Sequence, residues 1–228
     1  MTGRMAALCA AALVALLGIA AITAKAAEPA VIIPPPALDP ASPANSGQQT
    51  IVLAGGCFWG VQGVFEHTKG VAEAISGYSG GSKATAHYDM VGTEKTGHAE
   101  SVQIKFDPKQ ISYGKILQIF FSVAHNPTEL NYQGPDSGPS YRSAIFYAND
   151  EQKHIADAYI AQLDAAHVFP RPIVTQVVPL KAFYPAEAYH QDYALNHPDN
   201  PYIYICDRPK IAALKAEFPD LFVKYKGE

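Results

Sequence analysis

Residues 99–106, Ala-Glu-Ser-Val-Gln-Ile-Lys-Phe, alternate cleanly. Glu100, Val102, Ile104 and Phe106 share one parity, while Ser101, Gln103 and Lys105 share the other. Asp107-Pro108 then stops the run. A period of two marks a strand with one face on a core, and such a strand requires sheet neighbours and a covering layer. The flanking segments supply both. The apolar run 51–54 ends in Gly55-Gly56 and reads as a short buried strand. Residues 57–67 place Phe58, Val61 and Phe65 at helical spacing, and 71–78 read as a second strand broken by Gly77, Gly80 and Gly81. Tyr113, Leu117, Phe120, Phe121 and Ala124 form a helical stripe. Residues 126–141, carrying Pro127, Gly134, Pro135, Gly138 and Pro139, read as a long loop, and 144–148 as a strand. Asn149 with Gln152 resembles a capping box ahead of a helix lined by Ile155, Tyr159 and Leu163, and 174–180 read as the last strand. The predicted order is β-α-β-β-α-β-α-β with helix-rich material after it. That order gives an α+β fold, a two-layer α/β sandwich with a mixed sheet and helices packed on it.

The ends of the chain follow other rules. No charge occurs from Met5 to Ala24, and the apolar run closes on Ala24-Lys25-Ala26. A single upstream Arg4, an alanine-rich core and a small-x-small ending predict an export signal over residues 1–26. The run is also long enough to span a bilayer, so an uncleaved anchor over residues 5–24 is the alternative. Export places the domain outside the cytoplasm, in the periplasm. Residues 27–49 hold Pro29, Pro34, Pro35, Pro36, Pro40 and Pro43 and predict an extended, semi-rigid linker with little to pack. The folded domain is then 50–228. A net charge of −4 without any Lys/Arg cluster argues against nucleic acid as a partner. Cys9, Cys57 and Cys206 are too few for a disulfide framework, and no pair has metal-ligand spacing.

The sequence around Cys57, Gly55-Gly56-Cys57-Phe58-Trp59-Gly60, sets a cysteine at a strand-to-helix turn. A helix N-terminus favours an anion and lowers a thiol pKa, which is how a reactive thiolate is built. A small buried core residue is the plainer reading of the same cysteine. Phe58 and the chain's single Trp, Trp59, follow at once and can wall an apolar pocket. Glu100 has the parity of the apolar face, and burial there would raise its pKa and keep it protonated near neutrality; at a frayed strand end it would simply reach water.

Five motifs recur in order: Gly56-Cys57-Phe58-Trp59-Gly60, Gly77-Tyr78-Ser79-Gly80-Gly81, Gly97-His98-Ala99-Glu100, Tyr141-Arg142-Ser143-Ala144-Ile145 and Tyr189-His190-Gln191-Asp192-Tyr193. Together they resemble the type A peptide methionine sulfoxide reductases over about residues 51–214. The resemblance implies a ferredoxin-like sandwich, no metal or organic cofactor, and reduction of methionine S-sulfoxide through a cysteine sulfenic acid. It further implies Cys57 as nucleophile, Glu100 as the acid, and Tyr88 and Tyr141 as hydroxyl donors. Phe58, Trp59 and Asp136 would form the substrate pocket. His98 and His190 lack ligand spacing and read as structural hydrogen-bonding residues.

A sulfenic acid must be reduced in turn. Cys206 is the other cysteine of the domain, and Asn200-Pro201-Tyr202-Ile203-Tyr204-Ile205-Cys206 departs from the glycine-rich tail of many family members. Cys206 is therefore either a resolving thiol or a buried core residue. The implied partners are oxidised proteins or free methionine sulfoxide as substrate and a thioredoxin-like thiol donor, acting on a monomer. A thiol peroxidase and a secreted peptide-binding domain are the competing readings. The first would sooner place Thr or Pro beside its thiol. The second gives no reason for Cys57 beside two aromatics.

Overall fold

The computed structural model describes residues 29–41 and 46–225. The segment 1–26, with its export signal or anchor and Cys9, lies outside the described residues. The chain forms β1 (Gln49–Gly55), α1 (Phe58–Glu66), β2 (Val71–Ser79), the short helix α2 (Tyr88–Val91), β3 (Ala99–Phe106) and α3 (Tyr113–Ile119). It continues through β4 (Tyr132–Gln133), β5 (Asp136–Ser137), β6 (Ser143–Tyr147), α4 (Asp150–Ala165), β7 (Gln176–Pro179) and β8 (Phe183–Pro185). The last helices are α5 (Tyr193–Asn196) and α6 (Arg208–Glu217). Six strands make one sheet in the order β7-β6-β1-β3-β2-β8, while β4 and β5 pair as a separate hairpin. Only the β6–β7 pairing is parallel among these, so the sheet is mixed.

The alternation of β3 is realised as expected. Val102, Ile104 and Phe106 are fully buried in the main core with Ile51, Leu53, Phe58, Phe65 and the α3–α4 side chains. Val52, Ala54, Ala99, Ala144 and Phe146 form a smaller cluster of their own. Because successive residues of β1 fall into different clusters, this central strand is buried on both faces, which explains its unbroken apolar run. Asn149 caps α4: its Oδ1 accepts the Gln152 amide at 2.9 Å, and Gln152 reaches back to the Ala148 N–H at 2.9 Å.

Three local expectations are corrected. β2 runs unbroken through Gly77 because Gly77 pairs with Pro185 of β8, a strand too short to show a pattern. The 126–141 loop contains the β4–β5 hairpin and a 3-10 turn at Pro139–Tyr141. The third concerns the linker, whose described part packs. The Val31 N–H donates to Ser122 O at 3.0 Å, and Ser122 Oγ donates back to Val31 O at 2.7 Å. Buried Gln118 donates to Ile33 O and Tyr159 to Pro34 O, at 2.9 and 2.7 Å. Asp39 accepts from Ser112 and from the Gly114 N–H at the start of α3. Ile33 is buried in the main core. The prolines make this cheap. They restrict the unfolded chain and hold it extended, so little entropy is lost on docking. The carbonyls of Ile33 and Pro34 then satisfy the Gln118 donor on α3 and the Tyr159 donor on α4.

Candidate active site

β1 delivers Cys57 to the end of the sheet. Gly56 turns the chain at φ +86°, and a Cβ there would lie 2.5 Å from Gln133. Cys57 is the N-cap residue of α1 rather than a member of its first turn, and its side chain caps nothing. Glu100 takes that role. It is 4 % exposed, and its Oε2 accepts the Phe58 N–H, the first amide of the helix, at 3.0 Å. Burial raises the Glu100 pKa to about 8. The Phe58 hydrogen bond opposes this, and Asp136, Glu94 and Asp207 add to it. A carboxyl with that environment is protonated at neutral pH.

The thiol behaves differently from the sequence expectation. Burial pushes Cys57 well above the ordinary cysteine range, and the charges of Asp207, Glu100 and Asp136 push it further, against Lys210. Desolvation and three carboxyls outweigh the helix end. Cys57 therefore rests as a thiol, and its proton leaves only during attack.

Tyr88 opens α2 and Tyr141 closes the 3-10 turn, both half-buried. Burial raises Tyr88 to about 12, and the charges of Glu100 and Cys57 contribute. Tyr141 is raised by burial and then by Glu100, Asp136, Cys57 and Tyr88. Each hydroxyl is thus a neutral donor within the field of the thiol and the acid. Phe58 is fully buried and its ring lies 6.4 Å from that of Trp59 and 5.0 Å from His190. Trp59 stacks on Tyr193 at 3.9 Å, and its Nε1–H donates to His190 Nδ1 at 3.2 Å. Asp136 accepts a hydrogen bond from the Tyr202 hydroxyl and lines one cavity of about 250 Å³ with Cys57, Cys206, Tyr202 and Lys210. Cys57, Asp136 and Cys206 thus share that cavity, whereas Phe58, Trp59, Glu100, Tyr88 and Tyr141 are not among its lining residues; Glu100 reaches the start of α1 through Phe58, and the Tyr88 ring lies 4.4 Å from that of His190.

The two histidines have structural partners. His98 Nδ1 accepts the Gly81 N–H at 3.2 Å, and its Nε2 meets Ser82 O at 2.9 Å, so it ties the glycine loop to β3. Among the described residues no group of His, Cys, Asp and Glu could hold a metal ion.

Several supporting residues escaped the sequence reading. Glu94, at φ 63°, accepts from Ser140 N–H at 2.8 Å and Ser140 Oγ–H at 2.7 Å, clamping the turn that presents Tyr141. Arg142 donates to Gly97 O, His98 O and Pro139 O, joining that turn to the start of β3. Glu187 joins Tyr78 to α2 by accepting the Tyr78 hydroxyl at 2.9 Å and the Tyr88 N–H at 3.0 Å. A 5-residue π-helical turn at Ile203–Asp207 holds Cys206 and the fully buried Asp207 and leads into α6. Arg142 and Tyr193 belong to the five motifs, and Tyr202 and Asp207 to the segment around Cys206. For Glu94 the sequence carries no local signal.

Comparison with known proteins agrees with this geometry. The family model described as peptide methionine sulfoxide reductase matches residues 49–221. Peptide methionine sulfoxide reductase MsrA 2 of Mesorhizobium japonicum is 59% identical over 179 residues, covering 78% of this chain and 92% of that protein. The protein of the same name from Synechocystis is 48% identical over 191 residues, covering 83% and 89%. Among solved structures, reduced Mxr1 of Saccharomyces cerevisiae superposes with a TM-score of 0.61 at 30% identity, covering 70% of this chain and 92% of that one. Methionine sulfoxide reductase A of Corynebacterium diphtheriae gives 0.58 at 31% identity, covering 77% and 87%.

Proposed function

The chain belongs to the peptide methionine sulfoxide reductase family, and on that premise we propose how its own residues carry the reaction. The enzyme reduces methionine sulfoxide to methionine and so repairs oxidised proteins. Cys57 attacks the sulfoxide sulfur while Glu100 gives its proton to the oxygen, which leaves poorly unless protonated. Tyr88 and Tyr141 donate hydrogen bonds to that oxygen, and Phe58 and Trp59 hold the S-methyl group. Sulfoxide sulfur gains two electrons, Cys57 loses two, and the oxygen ends on Cys57 as a sulfenic acid. The observation that carries this assignment is the bond from the Phe58 N–H to Glu100. It supports a protonated carboxyl beside the thiol, because Phe58 follows Cys57 and burial raises the Glu100 pKa to about 8.

One methyl cage and one proton donor fix the hand of the substrate at sulfur. Exhaustive reaction of racemic N-acetylmethionine sulfoxide with dithiothreitol is expected to leave about half, all of it the R epimer, since each epimer has its own reductase. Chiral chromatography measures it, and complete consumption would contradict the assignment.

Regeneration uses Cys206. Both cysteines line one cavity, which supports condensation of the Cys206 thiol with the sulfenic acid to a disulfide and water. A thioredoxin-like dithiol outside the cytoplasm then reduces that disulfide. One equivalent of substrate without reductant should therefore leave the protein two hydrogens lighter by intact mass. A gain of one oxygen, trapped by dimedone, would return Cys206 to a structural role. The Ala24-Lys25-Ala26 pattern supports export to the periplasm. Among the described residues no helix is long and apolar enough to cross a membrane. The order β6-β1-β3-β2 around a split β-α-β unit supports the ferredoxin-like reading of the sheet.

A further inference from the structure

α6 begins beside the thiol with an ion pair between a buried aspartate and a half-buried lysine that the reaction described so far does not use. Asp207 is fully buried, and its Oδ1 accepts from Lys210 Nζ at 3.3 Å. Its Oδ2 has no hydrogen-bond partner among the described residues. The pair lies against the first turn of α1: a Cβ on Gly60 would come within 2.1 Å of Asp207 Oδ1 and 2.9 Å of Lys210 Nζ. Gly60 is three residues beyond Cys57, and Lys210 lines the same cavity as Cys57 and Cys206. Removing a lysine from water beside a thiol is costly and is tolerated only with a partner such as Asp207.

We propose that Lys210, held by Asp207 over the first turn of α1, is a positioning residue for the nucleophile whose ammonium stabilises the thiolate that Cys57 becomes as it attacks. The groups that face Cys57 explain the need. Asp207, Glu100 and Asp136 all disfavour its anion, Lys210 opposes them, and Tyr88, Tyr141 and Tyr202 are neutral hydroxyls around it. In a dry site, a cation fixed before the reaction stabilises charge that develops during it without reorganisation. Asp207 anchors that cation but raises the thiol itself, so the two residues act on Cys57 with opposite signs.

This inference rests on Cys57 being the nucleophile, and opposite signs make it testable. The pH dependence of Cys57 alkylation by iodoacetamide would be read on its tryptic peptide, in the full chain and in Lys210→Met, Lys210→Arg and Asp207→Asn. Lys210→Met is expected to raise the midpoint by about one pH unit, a roughly tenfold fall in thiolate at fixed pH. Its single-turnover sulfoxide reduction should slow by a similar factor. Lys210→Arg should stay near wild type, and Asp207→Asn should move the midpoint down. Unmoved midpoints, or shifts of one sign in both neutralising variants, would overturn the proposal and leave the pair as packing. Sulfoxide reduction that survives Cys57→Ser would instead remove the reading beneath it.

Discussion

Cys57→Ser is expected to lower sulfoxide reduction by on the order of 10⁴–10⁶-fold, the range seen when a member of a covalent catalytic set is removed. The fold should survive, because a hydroxyl replaces a thiol at an N-cap position where serine is favoured. The reason for so large an effect is electronic. The reaction needs a sulfur that can bond to the sulfoxide sulfur and then carry the oxygen as a sulfenic acid. Serine oxygen can do neither. Single-turnover assays with the purified variant, alongside a thermal melt, would check both halves. A variant retaining more than a small fraction of the wild-type rate would take Cys57 out of the mechanism.

Glu100→Gln is expected to slow single-turnover reduction by about 10²–10⁴-fold, the usual contribution of a positioned proton donor. Gln keeps the shape and can still accept the Phe58 N–H, so α1 should start as before. What is lost is the proton. The carboxyl is raised from 4.5 to about 8, so the neutral donor persists through neutral pH and disappears as pH rises through about 8. Wild-type single-turnover rates should therefore fall on the alkaline side, and the Gln variant should lack that limb. A rate within a few-fold of wild type, with the limb intact, would assign the acid elsewhere.

How much of this site was legible differs from residue to residue. The buried face of β3 was legible because parity along a strand is a local property. For Glu100, at the start of that strand, parity left a solvent-exposed position open, and the resemblance carried by Gly97-His98-Ala99-Glu100 decided for the acid; in the structure it is 4 % exposed. Cys57 at the strand–helix turn was legible through Gly55-Gly56 and the stripe after it; Tyr141 stood in one of the five motifs, while Tyr88 and Asp136 came only through the family resemblance. The Glu94 clamp on Ser140 was not legible. It joins residues 46 apart through a backbone angle that glutamate seldom adopts. The docking of residues 29–41 was hidden for a related reason. A proline-rich composition gives the extension of a segment but says nothing of the donors waiting on Gln118 and Tyr159.

The sequence alone determined what nearest neighbours determine: the longer strands and helices in their order, the α4 cap, the buried face of β3, and the residue types available for the chemistry; the short α2, β4, β5 and β8 were not among them. Tertiary structure decided the electrostatics. The helix start beside Cys57 predicted a lowered thiol pKa, yet the folded chain raises it. Desolvation and the charges of Asp207, Glu100 and Asp136 act through space, and Asp207 lies 150 residues further along the chain. Burial and Coulomb energy depend on where the chain returns, and that return is fixed only when α6 closes against α1.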